Sequence, residues 1–265
     1  MTAAIAAIAA KLGDAARRFD IDLLPSCDST NAVLLARAEA GAPSGTVVIT
    51  TEQTAGRGRR GRSWFASPGD SLTFSLLWRF APGTAPAGLS LAVGVAVARA
   101  LTKVPAGTHG AGAGNTALKW PNDILRDGRK LGGILIELVP GAPHAAVIGI
   151  GINLHLPPGM PEDVRAASAA LCAASETADE NALYATLLGE LLVTLEIFAT
   201  HGFSAWRAEW LARHAFQDAC VSLASDFATP RLGICRGVDS DGALLLDVDG
   251  RVERILSGEV SLRPA

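Results

Sequence analysis

Seven consecutive residues, Gly56-Arg57-Gly58-Arg59-Arg60-Gly61-Arg62, set four arginines among three glycines, and Ser63-Trp64 follows. Arginine brings planar, permanently charged donors that match phosphate and carboxylate oxygens. Glycine lets backbone N–H groups come close to a ligand. Trp64 adds an aromatic face. Such a run is suited to folding over a nucleotide, with amides and guanidinium groups on phosphate and an indole on a base. A solvated loop or a nonspecific polyanion contact has the same composition, so the rest of the chain decides.

Other residues with chemical potential lie at a distance in sequence. Lys119 opens the segment Lys119-Trp120-Pro121-Asn122-Asp123. It reads either as a functional ammonium or as an edge-strand lysine that blocks aggregation. Ser29, Thr30 and Asn31 are neutral polar groups fit for a neutral polar ligand, and with Asp28 they also mark a helix start before an apolar stretch. Gln53 leads from a strand toward the arginine run. Glycines in 130–139 (KLGGILIELV) and 145–154 (AAVIGIGINL) predict close approach by a ligand or another backbone between two paired buried strands. The five histidines are scattered and read as structural or exposed. Trp206 and Trp210, one helical turn apart, read as core packing.

These groups need a scaffold. With 265 residues, 49% of them hydrophobic, the chain can bury a large core without staples. Cys27, Cys172, Cys220 and Cys235 form no CxxC pair, which argues against zinc and a disulfide framework and fits a reduced cytosolic setting. The net charge of -3 makes the arginine cluster local and gives no reason to expect a polyanion partner. No stretch reads as apolar for long enough to cross a bilayer, and Lys11 follows the N-terminal apolar residues, the wrong order for a secretory signal. Ile5, Ile8 and Leu12 predict an amphipathic helix.

Strands are predicted at 46–50 and 71–79, and a helix at 89–104. The stretch 105–116 reads as a small-residue loop with little to pack. A strand over 117–123 should stop at Pro121. The stretch 179–214 reads as a helix in two pieces, broken near His201-Gly202. From about residue 219 short strands alternate with Asp241-Gly242 and Asp249-Gly250, both hairpin signals. The organisation expected is therefore 1–216 and 217–265.

Taken together, Ser29-Thr30-Asn31, Gln53 with 56–64, KWPND at 119–123, 130–137 and GIGIN at 149–153 resemble the biotin–protein ligases in order, content and spacing. The resemblance covers almost the whole chain from about Leu24 to Arg263. It implies an α+β fold: a central mixed β-sheet flanked by helices, with the helices expected on one side, and a small C-terminal SH3-like β-barrel. The repressor-type members carry an N-terminal winged helix-turn-helix. Only about two dozen residues precede the matching region here, fewer than such a domain needs, so the expectation is a ligase that binds no DNA and no membrane. Ser63 stands where relatives often have lysine.

The implied chemistry has two steps. ATP and biotin give biotinyl-5′-AMP and pyrophosphate, and the ε-amino group of a lysine on a biotin carboxyl carrier domain of a carboxylase then takes the biotin. Step one brings two anions together, so fixed positive charge and oriented donors are required. The resemblance assigns Lys119 and Arg59 to catalysis. It assigns Ser29, Thr30, Asn31, Gln53, Gly56, Arg57, Gly58, Gly132 and Gly133, with Arg59 and Lys119, to biotin. It assigns Arg57, Arg59, Arg60, Arg62, Trp64, Asn122, Lys130 and Asn153 to ATP. Mg2+ would bridge the phosphates, with Asp123 or Asn122 as its candidate ligand, and Asp123 is also a candidate base for the acceptor lysine. The arginine loop is expected to order on ligand and shield the anhydride from water. A cytoplasmic monomer or homodimer is compatible with all this. Two alternatives stand beside it: lipoate or octanoate transfer on a related scaffold, and a nucleic-acid-binding module using the same arginines.

Overall fold

The computed structural model describes residues 2–103, 116–225, 229–256 and 260–264. The predicted loop at 105–116 lies outside them except for Thr116. Seven strands form the main sheet: β1 (Asp20–Leu24), β2 (Thr46–Thr50), β3 (Ser71–Arg79), β4 (Thr116–Lys119), β5 (Asp123–Arg126), β6 (Arg129–Val139) and β7 (Ala142–Asn153). Their order is β1-β2-β3-β7-β6-β5-β4. β1 and β2 run parallel, and the other neighbours are antiparallel. The sheet is therefore mixed.

Alternation along the strands sorts the two faces. Val47, Ile49, Phe74, Leu76, Ile148, Ile150, Ile134, Ile124 and Leu118 point to one face and are buried in the main core. That face is covered by α1 (Ala3–Leu12), α3 (Leu89–Lys103) and α5 (Glu180–His201). The opposite face is covered at one end only, by α2 (Thr30–Glu39), whose Leu34 and Ala38 pack on Val48, Leu77 and Val147. Helices thus flank both sides rather than one. The part of the second face that α2 leaves uncovered is where a ligand has room.

Two further expectations need correction. Residues 117–123 are not one strand: β4 ends at Lys119, Trp120 to Asn122 turn the chain, and β5 begins at Asp123, directly opposite Lys119 in register. Helix α5, with its short 3-10 extension to Ala205, is long and apolar enough to cross a bilayer. Its apolar side chains have another use. Leu187, Leu188, Leu191, Leu195 and Phe198 have no exposed surface and belong to the core. A helix buried on several sides needs no polar stripe, which is why composition alone reads ambiguously. The break at His201-Gly202 falls as predicted, with Gly202 at φ 63, and α6 (Arg207–Ala212) follows.

After α6 the chain pairs with the outer edge of β4: Leu118 N–H donates to Arg213 O (2.8 Å) and Ala215 N–H to Leu118 O (2.9 Å). This covers an edge that would otherwise be open. His214, between them, is 8% exposed and packs on Trp210 at 4.5 Å between ring centroids. Burial pushes its imidazole down to about 4, Gln217 opposing weakly, and neither ring nitrogen has a partner in hydrogen-bond geometry among the described residues. Between that value and the usual 6.5 the unfolded chain binds the proton and the folded one does not, so stability falls as pH drops through this window. The loss is on the order of 3 kcal/mol. His214→Phe is expected to flatten it, as urea midpoints at pH 7, 5 and 4 would reveal. A parallel decline in variant and parent would show that other groups carry the acid sensitivity.

The second sheet contains β8 (Cys220–Ser225), β9 (Arg231–Val238), β10 (Leu244–Val248), β11 (Arg251–Ile255) and β12 (Val260–Pro264), ordered β11-β10-β9-β8-β12, every pair antiparallel. This agrees with the small C-terminal β-fold that the resemblance implies. The Asp249-Gly250 turn has φ of 52 and 81, the left-handed pair that a two-residue hairpin requires. Val221, Leu223, Cys235, Val238, Leu244, Leu246 and Leu262 join the main core cluster. Trp120, fully buried, donates its Nε1–H to Gly242 O (3.1 Å). The turn after Lys119 is thereby tied to the second sheet.

Candidate active site

One row of residues crosses the main sheet in register: Thr50, Thr73, Gly151, Gly133, Asp123, Lys119. All point to the face that α2 leaves open. The two glycines form a floor without side chains, hydroxyls stand at one end and charges at the other. Above this row lies a cavity of about 1190 Å3. Ligand pockets commonly measure ~300–1,000 Å3, so this one has room for two substrates.

At the charged end Lys119 Nζ is 2.8 Å from Asp123 Oδ2, and Lys130 Nζ is 2.6 Å from Asp123 Oδ1. Burial alone would raise the Asp123 carboxyl. Lys130 and Lys119 outweigh it and hold the group below the usual carboxylate range. Two ammonium groups and one carboxylate leave a net charge of one positive unit facing the cavity. Asn122 is pinned beside them by reciprocal bonds with Ile134, Nδ2 to O at 2.9 Å and N–H of Ile134 to Asn122 O at 3.0 Å. Its Oδ1 accepts from Arg59 Nη1 at 3.4 Å. Burial lowers the pKa of Arg59 and Asp123 opposes the shift; a guanidinium stays charged at neutral pH in any case.

Asp123 does not fit the predicted magnesium site. Each of its oxygens already faces an ammonium group, and the described residues hold no cluster of three metal-binding side chains. Magnesium usually relies on one or two carboxylates together with substrate phosphates, and the carboxylate here is spent on lysine.

The arginine run is a tight hairpin rather than an open loop. Trp64 N–H donates to Gly56 O (2.9 Å), Gly58 N–H to Arg62 O (2.7 Å), and Arg57 bridges to Ser63. Arg60 at its tip has φ 60. Gly56 sits at the base, where a Cβ would lie 2.4 Å from Trp64 O, and lines a second cleft of about 640 Å3 between the hairpin and Leu135 and Glu137. Arg57, Gly58, Arg59, Arg60 and Arg62 overhang the main cavity. The Trp64 indole lies on the glycine floor: a Cβ at Gly151 would come within 2.4 Å of its ring.

At the hydroxyl end Ser29 caps α2 with extended backbone, yet its side chain makes no cap bond. Thr30 N–H donates to Gln53 Oε1 (2.8 Å), and the Gln53 amide nitrogen lies beside Gly56, where a Cβ would stand 2.8 Å from it. Asn31 lines the wall but its amide is engaged: Nδ2 donates to Leu135 O (3.3 Å) and Glu137 Oε2 (2.7 Å), and Oδ1 lies 2.6 Å from Ser75 Oγ. Asn153 is similar, donating to Lys130 O (3.4 Å) and Ala169 O (3.1 Å) and so holding 168–169 against β6. In both asparagines the Nδ2 group is engaged with the wall and helps to position it. Gly132 does not line the cavity. It faces the helix side, against Ile124 and Ile152, while Gly133 lies on the floor. Sequence reasoning missed Thr73, Ser75, Glu137 and Arg263, which β12 brings to the cavity wall. Of the four only Glu137 falls inside a segment that the sequence singles out, 130–137, and nothing in that segment marks its role.

Fold and site together are those of a family of carboxylate-activating protein ligases: residues 23–153 match the Biotin/lipoate A/B protein ligase family, and 232–263 match the Biotin protein ligase C terminal domain. The bifunctional ligase/repressor BirA of Salmonella typhimurium is 39% identical over 249 residues, covering 93% of this chain and 75% of that protein. The biotin--[acetyl-CoA-carboxylase] ligase of Mycobacterium tuberculosis is 36% identical over 244 residues, 91% of this chain and 88% of its own. A biotin protein ligase from Aquifex aeolicus, solved in complex with biotin and ATP, aligns with a TM-score of 0.77 at 26% identity, covering 93% of this chain and 99% of that one. The chain belongs to the biotin protein ligase family.

Proposed function

We propose that this chain joins biotin to a lysine of a biotin carboxyl carrier domain, through biotinyl-5′-AMP, with release of pyrophosphate and then AMP. The observation that carries the reading is the Lys119–Asp123–Lys130 cluster at one end of a glycine floor, roofed by an arginine hairpin. Biotin's carboxylate and the α-phosphate of ATP are both anions, and at 4 Å their repulsion is about 4 kcal/mol at an effective dielectric of 20. Lys119 offsets it from the floor and Arg59 from above. The ureido head lies toward Ser29, Thr30 and Gln53, whose amide nitrogen donates to the ureido oxygen. Trp64 leaves the floor to stack on adenine, and Arg60, Lys130 and Arg263 face the phosphates. Magnesium arrives with ATP and belongs to the substrate.

On this reading the units are 1–216 and 217–265, the second contributing Arg263 and anchoring the Trp120 turn. None of the four cysteines is in a disulfide, which suits a reducing cytoplasm. The hairpin over the cavity shields the anhydride from water. Supplying ATP with biotin, lipoate or octanoate, and following pyrophosphate release and transfer to a carrier domain, tests the reading. Only biotin is expected to support both. Lipoate-dependent release without biotin-dependent release would replace biotin as the substrate.

A further inference from the structure

The face of β2 and β3 on the α2 side of the sheet carries five hydroxyl side chains. Four have protein partners. Thr46 Oγ1 donates to Pro43 O (2.9 Å), Thr50 Oγ1 lies 3.1 Å from Leu24 O and 3.0 Å from Glu52 O, and Ser71 Oγ donates to Phe65 O (3.3 Å). Ser75 Oγ stands 2.7 Å from Thr30 Oγ1 and 2.6 Å from Asn31 Oδ1. The fifth, Thr73, is 3% exposed and lines the cavity, and its Oγ1 is buried with no hydrogen-bond partner among the described residues. An unpaired buried hydroxyl is destabilising, so a ligand atom is the physical explanation for keeping it.

Position says which part of the ligand. Thr73 stands three ladder steps from Asp123, through Gly151 and Gly133. At the spacing of strands this is roughly 14 Å. A ligand with its carboxylate at Lys119 therefore places its ring end toward Thr73.

Chemistry says which atom. A ureido ring has two N–H groups that need acceptors. The carboxamide oxygens suggested by the sequence are taken. Leu135 O can only accept, so Asn31 presents Nδ2 to it and turns Oδ1 to Ser75. Thr30 N–H can only donate, so Gln53 Oε1 is committed to it. Ser75 has one proton, and Asn31 Oδ1 uses it. Thr73 Oγ1 keeps its acceptor capacity.

We infer that Thr73 Oγ1 accepts a hydrogen bond from a ureido N–H of biotin and is a specificity-determining residue of the head-group site. The inference rests on the biotin-ligase reading. Thr73→Val keeps shape and β-branching, and Thr73→Ser keeps the hydroxyl. Thermal unfolding and calorimetric binding would be measured with biotin and with desthiobiotin, which lacks the sulfur but keeps both N–H groups. For Thr73→Val the ligand-free Tm is expected to equal or exceed that of the parent, because an orphan hydroxyl is gone. Its affinity for both ligands should fall about tenfold, the loss appearing in KM for biotin and not in KM for ATP, and Thr73→Ser should recover most of it.

Unchanged affinity in Thr73→Val would overturn the inference alone. So would a lower ligand-free Tm, which would reveal a structural partner, or a loss confined to biotin, which would assign the hydroxyl to the thioether. If the parent protein bound neither ligand, the functional reading itself would fall, and this inference with it.

Discussion

Lys119→Ala is expected to slow acyl-adenylate formation by about 10²–10³-fold while leaving the fold standing. The charge count gives the reason. With Lys119 present, two ammonium groups and one carboxylate present one net positive unit to the cavity. Without it, Asp123 and Lys130 cancel, and only the arginines of the hairpin oppose the repulsion between carboxylate and phosphate. A loss of 10²–10³ corresponds to about 3–4 kcal/mol, similar to the repulsion that must be offset. Stability should change little, because Asp123 keeps Lys130 at 2.6 Å and Lys119 is a partly exposed residue at the end of a short strand. The check is single-turnover pyrophosphate release at saturating ATP and biotin, with the unfolding midpoint measured alongside. Lys119→Arg should recover only part of the rate, since the longer planar guanidinium does not present a point charge at the same place. A rate within a few-fold of the parent for Lys119→Ala would remove the central ammonium from the mechanism.

What the sequence disclosed, and what it hid, follows from how far apart the partners are. Lys119 was legible because it stands in a dense motif whose residues act together. That Asp123 faces it across a three-residue turn was not, since Pro121 reads equally as the end of a strand or the middle of a hairpin. The asparagines illustrate a second limit. Asn31 and Asn153 have the side chains that a nucleotide or a vitamin would use, and those same amides suit backbone carbonyls. Only the fold brings Leu135 and Glu137, more than a hundred residues away, against Asn31. Gly132 and Gly133 look alike in sequence, and strand alternation sends one to the core and the other to the cavity floor. Thr73 was invisible for the same reason. A threonine in a strand is ordinary until its four neighbouring hydroxyls are seen to be satisfied. Arg263 depends on how β12 meets the cavity, which no local pattern encodes.

The second large effect concerns Gly149, and it tests the network that holds the hydroxyl end together. Gly149 lies on β7 between Ser75 on β3 and Leu135 on β6. A Cβ there would stand 2.3 Å from Asn31 Oδ1 and 2.9 Å from its Cγ. A flexible side chain would swing away, but Asn31 is held by Ser75, Leu135 and Glu137 and is 3% exposed. Relief requires either a shift of the first turn of α2 or loss of the amide's bonds. Overpacking costs ~1–3 kcal/mol and an unsatisfied buried polar group a further ~1–3. Gly149→Ala should therefore lower Tm by on the order of 10 °C. Because the first turn of α2 also carries Thr30 and is capped by Ser29, biotin affinity should fall with it, whereas a substitution that merely loosened the core would leave the ligand-induced rise in Tm intact. Asn31→Ala supplies the control. It removes the atoms that clash, so adding Gly149→Ala to it should cost little more, and the double-mutant cycle should return a coupling close to the whole cost of Gly149→Ala alone, ~2–6 kcal/mol. Strict additivity of the two substitutions would mean that Asn31 does not occupy the space above Gly149, and the proposed order of the head-group wall would have to be rebuilt around another residue.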